Sequence, residues 1–93
     1  MNTVYIDFTD IGDEEYFYTQ LKQKMELPDY FGYNLDALAD VISGDIPLPL
    51  HLEFVNMSVG QLEDFETLLE TLEDLDTEVE DFSFSYYLEQ YEG

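Results

Sequence analysis

The chain has 93 residues, 45% hydrophobic and 16% aromatic, with 23 acidic residues against two basic ones and a net charge of −21. That apolar content exceeds what an acidic disordered tail carries and suffices for one small core, so a single domain over 1–93 is expected. Cysteine is absent, which excludes disulfides, thiolate metal sites and a cysteine nucleophile; the charge disfavours nucleic acid and anionic membranes and favours basic protein partners.

The opening MNTVYIDF lacks the basic start of a signal peptide, and no apolar run is long enough to span a bilayer, so the expected location is cytoplasmic. Within residues 3–8, Val4, Ile6 and Phe8 alternate onto one face and predict a strand. Acids then open a helix from Asp13 to about Glu26, in which Phe17, Leu21 and Met25 recur at four-residue spacing. Pro28 and Gly32 bracket a loop, LPDYFGY, whose Phe31 is expected to turn inward between two helices. Asn34 suits the N-cap of a second helix running to Ser43, with Gly44 at its exit. Wound on that helix, Leu35, Leu38, Val41 and Ile42 share a core face, while Asp36, Asp40 and Ser43 cluster opposite and Ala39 lies at their edge. The only basic residues, Lys22 and Lys24, are upstream, so solvent or another molecule must answer Asp36 and Asp40.

Leu48, Leu50, Leu52 and Phe54 alternate and predict a second strand over 48–55, with Pro47 and Pro49 at its start. Ser58 and Gln61 have capping-box spacing ahead of a long helix over 60–76, with Leu62, Phe65, Leu69 and Leu72 as its stripe and Leu68 and Leu75 beside it. Its outer side gathers Glu63, Asp64, Glu66, Glu70, Glu73 and Asp74, including like-charge pairs four residues apart. Phe82, Phe84, Tyr86 and Leu88 alternate in a third strand. The order β-α-α-β-α-β implies a parallel sheet with helical crossovers. Catalysis is poorly supported: His51 reads as a surface residue on the outer face of strand two, and no serine has a recognisable His–acid set. Asp76, Glu78 and Glu80 alternate but lack the glycine and distal Glu of a calcium loop, so neither metal nor cofactor is expected.

The stretch LPDYFGYNLDALADVISG resembles the barstar family, intracellular inhibitors of the secreted ribonuclease barnase. The matching pattern is Leu-Pro-acid-aromatic-aromatic-Gly, then Asn-Leu-Asp-Ala-Leu, one variable residue, Asp and a closing Gly; PLHLEF is similar to the family's second strand. The resemblance implies an α/β fold, a three-stranded parallel sheet packed with three to four helices. It also implies a monomeric, non-enzymatic inhibitor that blocks a basic ribonuclease with the acidic segment 28–45. In that picture Asp40 occupies a pocket built for an RNA phosphate, with Tyr30, Asn34, Leu35, Asp36, Ala39, Ser43 and the Gly44 backbone around it. Asp74 and Glu78 would correspond to a second acid cluster. Two positions depart from the family: Ala39 stands where a Trp is common, and Asp45 where an aromatic follows the closing Gly. An acidic nucleic-acid mimic of another basic protein, or a barstar fold without nuclease binding, are the alternative readings.

Overall fold

The computed structural model describes residues 2–44 and 46–89. Three strands, β1 (Asn2–Asp7), β2 (Leu50–Met57) and β3 (Phe82–Leu88), pair in parallel in the order β1-β2-β3. Four helices accompany them: α1 (Glu14–Met25), α2 (Leu35–Gly44), α3 (Val59–Asp64) and α4 (Glu66–Glu78). This is the α/β architecture with a three-stranded parallel sheet that the element order implies.

Alternation sorts the sheet into two faces. Leu50, Leu52 and Phe54 on β2 are buried, together with their register partners Phe82, Phe84 and Ile6. Phe8 joins this face to the helices, its ring 5.7 Å from Phe17, 4.8 Å from Phe54 and 5.4 Å from Phe65. Full burial of one such ring contributes about 1.5–3 kcal/mol. The opposite face carries Thr3, Tyr5, His51, Glu53, Ser83 and Ser85, none of them buried. His51 is therefore on the outer face but is not a free surface residue. Its Nδ1 lies 2.7 Å from Ser83 Oγ, while its Nε2 lies 3.0 Å from Ser85 Oγ and 3.3 Å from Glu53 Oε1.

The first strand lies one residue earlier than the expected 3–8, and two elements depart further from what the spacing predicts. The second strand begins at Leu50 and ends at Met57 rather than covering 48–55. Pro47 and Pro49 bring no N–H to a ladder, and Leu48 between them stays 37% exposed. The helix expected over 60–76 is broken at Phe65, whose backbone (φ −108°, ψ 19°) leaves helical values between α3 and α4. The break seats the Phe65 ring edge-on against Phe8. The capping box at Ser58 and Gln61 forms, and Gln61 Nε2 also donates to Phe8 O at 2.8 Å and Ile11 O at 2.9 Å. That pair of bonds ties the start of α3 to the loop after β1.

Both outer strands have an outward backbone group engaged by a charged side chain. Lys24 Nζ donates to Tyr5 O on β1 at 2.9 Å, and Phe84 N on β3 donates to Asp76 Oδ2 at 3.3 Å. Among the described residues, no helix is long and apolar enough to cross a membrane.

Candidate functional site

The acidic segment begins where α1 ends. Asp13 caps α1 by accepting from Tyr16 N at 2.8 Å, and Glu26 closes it in the left-handed region at φ 52°. Leu27 N then donates to Lys22 O at 3.0 Å, and the chain turns into the loop. Phe31 is the inward plug expected of it: it is 6% exposed, and its ring lies 6.1 Å from Tyr18, which lies 5.0 Å from Phe17 in the core. Tyr18 is buried, and that burial, aided by nearby Glu14, pushes its phenol up to about 12. Tyr33 packs outside Phe31 at 5.6 Å with φ 37°, a backbone conformation that costs a side-chain-bearing residue about 1–2 kcal/mol.

Asn34 joins the loop to α2. Its Oδ1 accepts from Ala37 N at 2.8 Å while its Nδ2 donates to Gly32 O. A Cβ at Gly32 would stand 3.3 Å from that Nδ2 and 3.5 Å from Ala37 Cβ, so the small residue lets the loop lie on the first turn. Leu38, Val41 and Ile42 face inward, Leu35 and Ala39 are half-buried against the core, and α2 packs on α4. Asp36, Asp40, Ser43 and Gly44 are exposed, so the helix divides into the two faces its spacing predicts.

Between loop and helix runs a groove of about 270 Å³ lined by Tyr30, Phe31, Gly32, Ala37, Asp40 and Val41. It brings Tyr30, 76% exposed, and Asp40 to one feature across ten positions of sequence. Asn34, Leu35, Asp36, Ala39, Ser43 and Gly44 belong to the same segment but do not line the groove. Asp74 and Glu78 are exposed one turn apart on α4, and Asp45 lies outside the described residues. Gly32, Ala37 and Val41 also line the groove, although the sequence marks Gly32 only as a loop boundary and Val41 only as core, and none of the three as a site residue. Their only local signal is small size at Gly32 and Ala37 and the four-residue step from Ala37 to Val41. A larger concavity of about 340 Å³, bounded by Asn2, Val4, Lys24, Ile46 and Leu50 among others, shares no lining residue with the groove.

Both lysines are already engaged. Lys22 Nζ is 3.6 Å from Asp29 Oδ1 and 5.7 Å from the centre of the Tyr33 ring, and Lys24 holds the edge of β1. Among the described residues no ion pair reaches Asp36 or Asp40. An exposed carboxylate beside a partly apolar groove can accept paired hydrogen bonds from a guanidinium or meet an ammonium. Among the described residues no three potential ligand side chains gather to hold a metal ion. Elsewhere, Thr9 hydrogen bonds, aided by Asn56, hold the Asp7 carboxyl below the usual range.

A family model described as Barstar (barnase inhibitor) matches residues 1–89. The chain is also 37% identical over 86 residues to the Bacillus subtilis (strain 168) protein named "Putative ribonuclease inhibitor YrdF", an alignment covering 87% of this chain and 92% of the relative.

Proposed function

The chain belongs to the barstar family, and from that membership we propose that it is an inhibitor rather than an enzyme, acting on a basic ribonuclease whose active site it blocks with residues 28–45. Asp40 carries this reading. It is an exposed carboxylate on the groove that Tyr30 also lines, and among the described residues no cation pairs with it. A ribonuclease site binds phosphate through basic side chains, and a carboxylate offers them the same acceptor geometry. Asp36 lies one turn before Asp40 on the same exposed face and would extend the contact. Tyr30 supplies an exposed aromatic anchor of the kind that concentrates binding energy in interfaces. Asp74 and Glu78 on α4 would add outlying charge.

A second reading has its own support, because Glu63, Asp64, Glu66, Glu70, Glu73 and Asp74 are all exposed. A broad acidic surface of this kind would attract a basic nucleic-acid-handling protein through charge alone. One experiment separates the two: binding of barnase, as a probe of the ribonuclease class, to Asp40→Ala and Glu66→Ala at two salt concentrations. The plug predicts a loss of at least about 2 kcal/mol for Asp40→Ala and less than about 0.5 kcal/mol for Glu66→Ala. Equal losses that shrink together with added salt would establish diffuse attraction instead.

A further inference from the structure

Lys22 projects from the last turn of α1 onto the loop at two places, Asp29 and Tyr33. Its side chain is reduced to 25% exposure, whereas that of Asp29 is fully in solvent. An ion pair with so exposed a partner contributes little alone. The half-buried aliphatic stem and the ammonium facing the Tyr33 ring contribute more. Tyr33 is also the loop residue that needs holding, since its left-handed backbone is disfavoured and only contacts around it keep it there. Phe31 secures the loop from the core side; Lys22 is placed to secure it from the solvent side.

We propose that Lys22 is a positioning residue of the docking surface, a strap that holds residues 29–33 against α1 so that Tyr30 and the groove meet the partner preformed. This rests on the reading of residues 28–45 as the docking segment. The sign of the effect distinguishes it from bulk electrostatics. Replacing Lys22 by Gln makes a chain of charge −21 more negative still, so attraction to a basic partner by charge alone would tighten binding. A lost strap weakens it, because the loop must then be ordered during association.

The test compares the unaltered chain with Lys22→Gln, Lys22→Arg and Asp40→Ala. It reads amide hydrogen exchange over 29–33 in the free proteins and dissociation rates from barnase. Lys22→Gln is expected to speed exchange in 29–33 while leaving β2 unchanged, and to raise the dissociation rate about threefold. Lys22→Arg, which keeps a cation that can stack on Tyr33 and pair with Asp29, is expected to restore both. Unchanged exchange in Lys22→Gln, or tighter binding, would overturn the strap. Asp40→Ala binding as tightly as the unaltered chain would overturn the docking reading, and the exchange data on the free chain would still decide the role of Lys22.

Discussion

Asn34 uses both ends of its amide, one on the Ala37 N–H and one on the Gly32 carbonyl. Replacing it with Ala removes a helix cap and frees the loop at once. The expected cost is about 1 kcal/mol in urea unfolding, with Asn34→Asp recovering the cap but not the bond to Gly32. Tyr18 sets an alkaline limit. Its phenol titrates near 10 when unfolded and is pushed up to about 12 in the fold, so above pH 10 the unfolded chain releases a proton that the folded chain retains. Stability therefore falls as pH rises from 10 towards 12, and Tyr18→Phe should flatten that fall in denaturant midpoints. Asp7 has the opposite sign. Its carboxyl is held below the unfolded value of 3.8, so its contribution is present above that pH and lost as acid protonates the folded group. Thr9→Ala removes the hydroxyl donor but keeps the main-chain N–H and Asn56, so it should lessen that acid sensitivity, visible as unfolding curves that converge with those of the unaltered chain at low pH.

Helices and strands were legible in sequence where a local signal acts alone. Val4 with Ile6, and Phe82 with Phe84, mark strands by alternation, and Ser58 with Gln61 marks the start of α3 by a cap that closes within one turn. The break at Phe65 was not legible, because Leu62, Phe65 and Leu69 keep helical spacing straight through it. The distant Phe8 and Phe17 rings give Phe65 a reason to leave the helix axis. Leu48 misled for a related reason: its alternation with Leu50 is sound, but the flanking prolines decide the ladder. The acidic face of α2 was readable from its wheel, whereas the groove needed Gly32 folded back onto Ala37, a contact between loop and helix. On α4, Glu70 stands four residues from both Glu66 and Asp74. Glu70→Lys should turn two repulsions into attractions and stabilise the chain by about 0.5–1 kcal/mol, less as salt is added.

At the scale of the molecule, a charge of −21 makes folding and binding respond to salt in opposite directions. Screening relieves self-repulsion in the free chain, so its melting temperature should rise between low and physiological ionic strength. The same screening slows encounter with a basic partner, so association rates should fall over that interval while dissociation rates change little. Calorimetry and stopped-flow mixing check the two halves independently. The chain has two lysines, and one of them, Lys24, is used on the rim of the sheet, with Asp76 on the opposite rim. A three-stranded sheet presents two ready templates for cross-β stacking, and charge repulsion between copies fades in concentrated salt. The side chains on Tyr5 and Phe84 do not depend on that repulsion; they occupy backbone groups that an incoming strand would need. An acidic chain with bare rims would therefore stay dispersed only in dilute salt, whereas this one keeps a local barrier to fibril growth when screening is complete.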